Sequence, residues 1–310
     1  MREPAPIVEL DEDPTPKGAE AFWFQATDGT RLRGAICPPK GKAKGSILLL
    51  PGRTEYVEKY FEFIREMNAK GFCVAAIDLR GQGLSDRLLP DPLPGHVGSF
   101  TDYATDVETM WELIEQDMAE PRYLMAHSMG GAIAADIARR GNIKFAKMIC
   151  CAPMLGFAKD SKFMNIAIRL LSTLGLKGIV PPGLSGGGAL DPEAAKVLTS
   201  DEKRFARDIA RNTKQPKLQL AGPSIGWLHA AIKLHRSLQG PSGYQNIQIP
   251  VHYTYAGKEA LVSNPAIIAA CEQMQDATCV KVDDALHEIF QERDELRTPF
   301  IASIITQISA

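Results

Sequence analysis

A serine stands at a predicted strand-to-helix junction in the stretch YLMAHSMGGAIAADIA, residues 123–138. Apolar residues typical of a buried strand precede Ser128, and an alanine-rich stretch typical of a helix follows two glycines. On so sharp a turn the hydroxyl projects from the sheet, and the helix N-terminus directs N–H groups and partial positive charge at the attacked atom. The crowded turn needs small neighbours, and Ala126 and Gly130 are small. Ser128 is therefore a candidate nucleophile, and the alternative is a serine that only caps the helix.

A serine nucleophile needs a base, and six histidines compete for that role. In an open α/β sheet the serine, the acid and the histidine follow one another along the chain, each after a strand. His287, in VDDALHEIFQER, follows the last predicted strand and fits this order. His127 adjoins the serine, so its side chain is expected to point the other way, whereas His96 stays open as a pocket residue. The others lie inside predicted helices or a strand: His229, His235 and His252.

The acid that orients the histidine has several candidates. Glu259 is the only acid in AGKEALVSN, the loop after the seventh predicted strand. A Glu can replace Asp in this role where its longer side chain fits. Asp283 and Asp284 are rivals because they lie close to His287 in sequence, although residues so near more often face apart. A solvated loop residue is the alternative for Glu259, since single surface acids are common.

The elements that must position these residues read as an α/β fold around a mostly parallel sheet. Short β-type runs such as GSILLLPG and FCVAAIDLRG alternate with stretches of helical periodicity. The alternation stops near Pro153 and resumes only at IPVHYTYAG, an interval far longer than an ordinary connection. We therefore expect a flexible arm over 1–19, a core formed by 20–153 and 246–310, and an inserted helical lid, or cap, over 154–245.

The cap contains two apolar helical stretches whose residues are candidates for substrate binding. The candidates are Phe163, Ile168, Leu171 and Trp227. An acyl chain could lie among them, and the alternative is that they only pack one helix onto its neighbour. Three glycines at 186–188 lack the lysine of a phosphate-binding loop, so we expect a linker there.

Composition excludes several classes of partner. A formal charge of −2 provides no basic surface for nucleic acid. The six cysteines contain no CxxC pair, and no apolar run has the length of a secretory or membrane-spanning segment. No spacing typical of a metal site occurs, so we expect no metal and no cofactor. A cytoplasmic protein is predicted, in which any membrane contact is peripheral, at the inner face.

Four segments together resemble one branch of the α/β-hydrolase superfamily, the monoacylglycerol lipases and bacterial lysophospholipases. AHSMGG resembles the GHSMGG elbow of that branch, and LLPGRTEYVEKY resembles its HG-x-x-E segment. DLRGQGLSD resembles its DxRGHGxS loop, and ALHEIFQERDELR resembles its GxxHEIxxExxxxR ending. The chain departs from the pattern at Pro51, Ala126 and Gln82, which stand where the family has His, Gly and often His. The resemblance extends from about residue 20 and is weakest in the cap.

The resemblance implies the α/β-hydrolase fold, with a mostly parallel eight-stranded sheet, flanking helices and an inserted helical lid. It implies Ser128 as nucleophile, His287 as base and Glu259 as acid, with an oxyanion hole formed by the backbone N–H groups of Arg53 and Met129. It further implies hydrolysis of single-chain lipid esters such as monoacylglycerols or lysophospholipids. No basic cluster suggests a phosphate site, which favours neutral esters slightly.

Other functions stay open on the sequence alone. The same three residues could cleave small carboxylic esters or carbon–carbon bonds. A hydrolase fold could also bind a ligand without turning it over, although a receptor has no need of a nucleophile, base and acid. Haloalkane and epoxide hydrolases are disfavoured because they carry an Asp at the position of Ser128. The sequence does not indicate an oligomeric state.

Overall fold

A computed structural model describes residues 2–184 and 192–309 of the chain. The strands of these two ranges are β1 Glu3–Pro4, β2 Glu20–Gln25, β3 Arg31–Cys37, β4 Gly45–Leu50, β5 Phe72–Asp78, β6 Arg122–His127, β7 Lys147–Cys151, β8 Val251–Ala256 and β9 Ala277–Val282. Their α-helices are α1 Phe61–Ala69, α2 Phe100–Ile114, α3 Met129–Arg140, α4 Lys162–Thr173, α5 Pro192–Leu198, α6 Glu202–Lys214, α7 Ile225–Leu238, α8 Asn264–Gln273 and α9 Asp294–Ser309.

The strands form one sheet in the order β1-β2-β3-β5-β4-β6-β7-β8-β9. The strands from β5 to β9 in this order pair in parallel, and β1, β2 and β3 add antiparallel pairs at one side. The predicted mostly parallel α/β sheet is therefore confirmed, with nine strands rather than eight in the described residues. The additional strand is β1, which the sequence could not predict because two residues, a charge and a proline, carry no strand pattern.

Helices packed against the central strands explain their unbroken apolar runs. Every residue of β4 and β5 is buried. Helix α3 packs on β4, β6 and β7, whereas α8 packs on β8 and β9 and α1 packs on β5. A parallel sheet covered in this way leaves its loops at the strand ends as the place for a site.

Four helices, α4 to α7, lie between β7 and β8 in the chain, where the insertion was expected. Helix α7 packs on α2, α3 and α4, and most of its residues are buried. Helix α4 is different, because few of its side chains are buried and several large apolar ones are exposed. The glycines at 186–188, expected to form a linker, lie outside the described residues.

The N-terminal segment is packed against the molecule, which corrects the expectation of a flexible arm over 1–19. Strand β1 pairs with β2, and Val8 is buried. The guanidinium of Arg211, in α6, donates to the Val8 carbonyl and the Asp13 carboxylate, both at 3.2 Å. Arg33 donates to the Pro6 carbonyl at 2.9 Å. The acids and prolines of this segment resembled a solvated tail because the arginines that bind the segment lie far away in the sequence.

Replacement of Arg211 tests this attachment. The Arg211→Met protein should lose about 1.5–3 kcal/mol of unfolding free energy, because the buried hydrogen bonds of Arg211 to Asp13 and Val8 are lost while Arg65 still pairs with Asp13. Amide hydrogen exchange over 5–16 should also become faster. The control is Arg2→Gln, which removes an exposed ion pair with Asp117 and should cost at most about 1 kcal/mol. Equal unfolding free energies for the two variants would contradict the attachment.

Candidate active site

The turn between β6 and α3 holds Ser128 in an unusual backbone conformation. Ser128 has φ 49° and ψ −118°, a region costly for a residue with a Cβ, by about 1–3 kcal/mol. Its N–H donates to the Cys151 carbonyl at 3.0 Å, and its own carbonyl accepts from Gly131 and Met154, both at 2.8 Å. The end of β7 therefore fixes the turn, and the hydroxyl is placed at the start of α3.

The two glycines after the serine are required by close packing. A Cβ on Gly130 would overlap the carbonyl oxygens of Leu50 and Pro51, at the end of β4. A Cβ on Gly131 would overlap Pro153, just beyond β7. Helix α3 can therefore begin directly against the sheet only because Gly130 and Gly131 have no side chain.

Three loops at the carboxyl ends of strands bring the predicted triad together. The Oγ of Ser128, after β6, lies 2.8 Å from Nε2 of His287, in the loop after β9. The Nδ1 of His287 lies 2.8 Å from Oε2 of Glu259, in the loop after β8. All three side chains are largely buried. This relay of hydroxyl, imidazole and carboxylate is the arrangement that activates a serine nucleophile.

The second oxygen of Glu259 is held by its own loop. Oε1 accepts from the N–H groups of Ala260, Leu261 and Val262 at 3.0, 2.8 and 3.2 Å. Burial raises the pKa of Glu259, but the hydrogen bond and charge of His287 and these N–H groups outweigh it, so the pKa lies below its ordinary value. The carboxylate is therefore ionised and can orient the imidazole.

The rival acids lie elsewhere. Asp283 pairs with Lys281 at 2.7 Å and Asp284 pairs with Lys258 at 2.9 Å, all with exposed side chains. Neither contacts the imidazole of His287 within the described residues. The acids adjacent in sequence therefore face solvent, and the one distant in sequence reaches the histidine.

The remaining histidines are engaged by partners of their own. His96 contacts Ser224 at 2.7 Å and His229 contacts Ser172 at 2.8 Å. His235 and His252 contact the Met154 carbonyl and Thr278. His127 contacts the Glu55 carboxylate and the His287 carbonyl, and has no hydrogen bond with the Ser128 hydroxyl within the described residues.

The loop after β4 carries the expected oxyanion residue Arg53. The side chain of Gln82 donates to the carbonyls of Gly52 and Glu55, at 2.8 and 2.9 Å, and so clamps this loop. Within the described part of the chain, the backbone N–H groups of Arg53 and Met129 donate no hydrogen bond. Both are thus free to receive an oxyanion, and Met129 is the first residue of α3, where the helix dipole adds to the attraction.

A buried charge cluster lies behind the triad, and sequence reasoning missed it. It consists of Glu55, Lys59, His127, Asp208 and Glu288. The Lys59 ammonium lies 2.7 Å from both Asp208 and Glu288 and 3.5 Å from Glu55. The cluster therefore joins the loop after β4 that carries Arg53, the loop after β9 that carries His287, and helix α6 of the cap. The spacing of Glu55 and Lys59, four residues apart, was the available signal.

Within this cluster, His127 supports the backbone of His287. Its Nδ1 lies 3.2 Å from the Glu55 carboxylate, and its Nε2 lies 3.3 Å from the His287 carbonyl. Burial lowers the pKa of His127, but the charges of Glu55 and Glu288 outweigh it and raise the pKa above its ordinary value. A protonated ring donates at both nitrogens, which suits its two acceptors.

A cavity of about 730 Å³ opens above the triad. Its walls include Ser128 and His287, and most of its cap-derived lining is apolar, including Met164, Ile168, Leu171, Ile225, Trp227 and Leu228. Three of the four expected substrate-binding residues thus line it. Phe163 does not, and its side chain is 82% exposed. The expectation was wrong for Phe163 because Met164, Ile168 and Leu171 share one face of α4 and Phe163 lies on another.

The described residues contain neither a metal site nor a membrane-spanning helix. Within 2–184 and 192–309, no group of three or more His, Cys, Asp or Glu side chains could hold a metal ion. In the same ranges, every helix is too short or too polar to pass through a bilayer.

Comparison with known proteins identifies the family. The model of the family described as serine aminopeptidase, S33, matches residues 41–294, most of the chain. The chain belongs to this family. Lysophospholipase L2 of Escherichia coli is 29% identical over 84% of this chain and 78% of its own length. Monoacylglycerol lipase of Mycolicibacterium smegmatis is 22% identical over 88% and 91% of the two chains.

Solved structures agree on the fold. A monoglyceride lipase from Saccharomyces cerevisiae has a TM-score of 0.72 and 19% identity over 93% of both chains. A carboxyl esterase from Bacillus coagulans has a TM-score of 0.74 and 18% identity over 94% of this chain and 98% of its own. The resemblance is therefore confirmed. The chain is a serine ester hydrolase of the lysophospholipase and monoacylglycerol lipase type with the α/β-hydrolase fold.

The choice of acid is testable by two amide substitutions. Glu259→Gln should lower kcat for a p-nitrophenyl ester by about 10⁴, because a neutral amide neither holds the correct tautomer nor stabilises the imidazolium. Asp284→Asn should retain the wild-type kcat, since its side chain faces solvent. Loss of activity in Asp284→Asn alone would show that the relay has been assigned to the wrong carboxylate.

Proposed function

We propose that this chain hydrolyses the carboxylic ester of a single-chain lipid through an acyl-enzyme on Ser128. The observation that carries the proposal is the relay from the Ser128 hydroxyl through His287 to Glu259, with 2.8 Å at each contact. It opens into a cavity with an apolar cap wall. A hydroxyl with a base and an oriented acid provides the chemistry, and the cavity provides room for an acyl chain.

In the first half of the reaction, His287 takes the proton of Ser128 as the oxygen attacks the ester carbonyl. The carbonyl oxygen becomes an oxyanion that accepts from the backbone N–H groups of Arg53 and Met129. Glu259 stabilises the imidazolium without becoming protonated. As the tetrahedral intermediate collapses, His287 gives its proton to the leaving alcohol, and the acyl group stays on Ser128.

In the second half, a water molecule replaces the alcohol. His287 removes a proton from the water while its oxygen attacks the acyl carbonyl, and the same two N–H groups receive the oxyanion. Collapse releases the fatty acid, and the proton held by His287 returns to Ser128. Each turnover thus consumes one water molecule and leaves the protein unchanged.

The substrate proposal combines the cavity with the relatives. The names lysophospholipase and monoacylglycerol lipase belong to relatives that match over most of this chain. Ile168, Leu171 and Trp227 line the cavity on the cap side, and apolar walls suit an acyl chain. We propose that the cap, residues 154–245, acts as the lid over this chain.

We further propose that the enzyme works in the cytoplasm and contacts the membrane peripherally, at its inner face. Helix α4 and the residue that follows it expose apolar side chains beside the cavity, namely Phe163, Ile166, Leu170 and Leu174. Such a surface is unfavourable in water and suits a lipid interface. A single-chain lipid could then enter the cavity from the bilayer.

The nucleophile is tested with Ser128→Ala. Its kcat should fall by about 10⁶ on monoacylglycerol, lysophosphatidylcholine and p-nitrophenyl esters alike, because no acyl-enzyme can form. A fluorophosphonate probe should label the wild-type protein and not the variant. Near-normal turnover by Ser128→Ala would exclude the proposed mechanism.

A wild-type protein that binds these lipids without hydrolysing them would instead be a binding protein, and exclusive turnover of acetyl or butyryl esters would indicate a small-ester carboxylesterase. Cleavage of a β-diketone with no ester turnover would indicate a C–C bond hydrolase.

The acyl pocket is tested with Leu171→Trp. The larger side chain fills part of the cavity, so the preferred chain length in a series of p-nitrophenyl esters should become shorter. Phe163→Ser is the matched control on the same helix, because Phe163 is exposed and does not line the cavity. The control should keep the wild-type chain-length profile on these soluble esters. Identical profiles for Leu171→Trp and the wild type would remove Leu171 from the pocket.

A further inference from the structure

The side chain of Arg53 lies in the wall of the catalytic cavity. It is partly buried, and its Nη1 donates to the Ala221 carbonyl of the cap at 2.7 Å. Its guanidinium carbon lies 6.0 Å from the centre of the Trp227 ring, which lines the same cavity. The cap therefore holds this cationic side chain above the site.

Arg53 has no acidic partner among the described residues. Buried arginines elsewhere do have one: Arg33 pairs with Glu58 and Asp78, and Arg80 pairs with Asp106. Burial lowers the pKa of Arg53 to about 10, opposed only by Tyr103. The guanidinium therefore stays charged at neutral pH, and its charge is uncompensated.

The hydrogen-bonding capacity of Arg53 is also largely unused. A guanidinium has about five N–H donors, and within the described ranges the Arg53 side chain donates only to Ala221. Its other nitrogens have no hydrogen-bond partner in those ranges and are not fully buried. They are therefore accessible from the cavity. Burial of a charge without a partner is costly, and a ligand that supplies an anion would remove that cost.

Other charged groups around the cavity are less suited to bind an anion. Glu55 and Glu288 are engaged by Lys59, and His127 is engaged by Glu55, within the buried charge cluster. Lys159 and Asp160 lie at the exposed rim. An anionic ligand inside the cavity therefore meets Arg53 as its partly buried cation.

The position of Arg53 indicates which part of the substrate its guanidinium would contact, namely the leaving group. Its backbone N–H belongs to the proposed oxyanion hole, so its side chain starts beside the scissile carbonyl. In a lysophospholipid, only the glycerol unit separates that ester from the phosphodiester. A planar guanidinium binds phosphate oxygens through two parallel hydrogen bonds, which a monoacylglycerol cannot form.

We propose that the Arg53 guanidinium binds the phosphodiester of a lysophospholipid and selects this substrate over a neutral monoacylglycerol. The inference rests on the proposed ester hydrolysis at Ser128 and specifies its substrate. It also reverses the slight preference for neutral esters that the absence of a basic cluster suggested. One partly buried cation without an acidic partner among the described residues serves where several exposed ones would be needed.

The test compares two lipids with the same acyl chain, 1-acyl lysophosphatidylethanolamine and 1-monoacylglycerol, at concentrations below micelle formation. The ratio of their kcat/KM values should fall by roughly 10- to 100-fold in Arg53→Met, the effect expected for hydrogen bonds to a charged group. The ratio should fall less in Arg53→Lys, because lysine keeps the positive charge but cannot form the two parallel hydrogen bonds. The backbone N–H serves both lipids, so any disturbance of the oxyanion hole cancels in the ratio.

Arg87→Met is the matched control. Arg87 also lacks a carboxylate partner among the described residues and donates to cap carbonyls, those of Lys217 and Gln219, but it does not line the cavity. This variant should keep the wild-type ratio. An unchanged ratio in active Arg53→Met protein overturns the inference. With an unchanged ratio, inorganic phosphate could still inhibit p-nitrophenyl ester hydrolysis by the wild type and not by Arg53→Met. That result also overturns the inference, because the site would then bind free phosphate.

Failure of the proposed function would give a different result. If wild-type protein hydrolyses neither lipid and does not react with a fluorophosphonate, ester hydrolysis at Ser128 is wrong and the inference falls with it. If wild-type protein is active and only the ratio is insensitive to Arg53, the inference alone is wrong. Thermal unfolding and fluorophosphonate labelling of each variant show that it is folded, and Arg53→Gln replaces any variant that is not.

Discussion

The backbone hydrogen bonds that hold Ser128 on its turn are the constraint on which the rest of the site depends. The turn stores strain, and the contacts of Ser128 with Cys151, Gly131 and Met154 offset it. Those contacts exist because β7 pairs with β6 in parallel and because Gly130 and Gly131 let α3 begin against the sheet. The nucleophile is therefore positioned by the most buried part of the fold, while its partners come from loops.

The loops need separate support, and the buried charge cluster supplies it. Lys59 contacts Glu55 in the loop after β4, Glu288 in the loop after β9 and Asp208 of the cap. Burial raises the pKa of Glu288, so its ionised form depends strongly on Lys59. A displaced loop would leave a buried charge without its partner, at a cost of several kcal/mol. The cluster thus couples the position of the cap to the two loops that carry Arg53 and His287.

The sequence predicted the features that depend on local pattern and on chain order. Ser128, His287 and Glu259 were proposed because each follows a strand with strong apolar character, and the parallel sheet does bring their side chains into contact. Phe163 was assigned wrongly because apolar content indicates a helix but not which face meets the cavity. The N-terminal segment and the charge cluster were missed for a different reason. Arg211 and Asp13, or Lys59 and Glu288, are far apart in the chain, and no periodicity relates them.

In the proposed mechanism, Arg53 serves catalysis through its backbone N–H and selectivity through its guanidinium. Its backbone N–H is oriented by the loop that Gln82 clamps, whereas its guanidinium is held by Ala221 and lies near Trp227, both in the cap. The strength of an electrostatic contact depends on the surrounding dielectric as much as on the number of charges. A search of the sequence for basic clusters counts charges and cannot detect burial. A single arginine that lacks a carboxylate partner within the described residues becomes visible as an anion site only once the cavity around it is known.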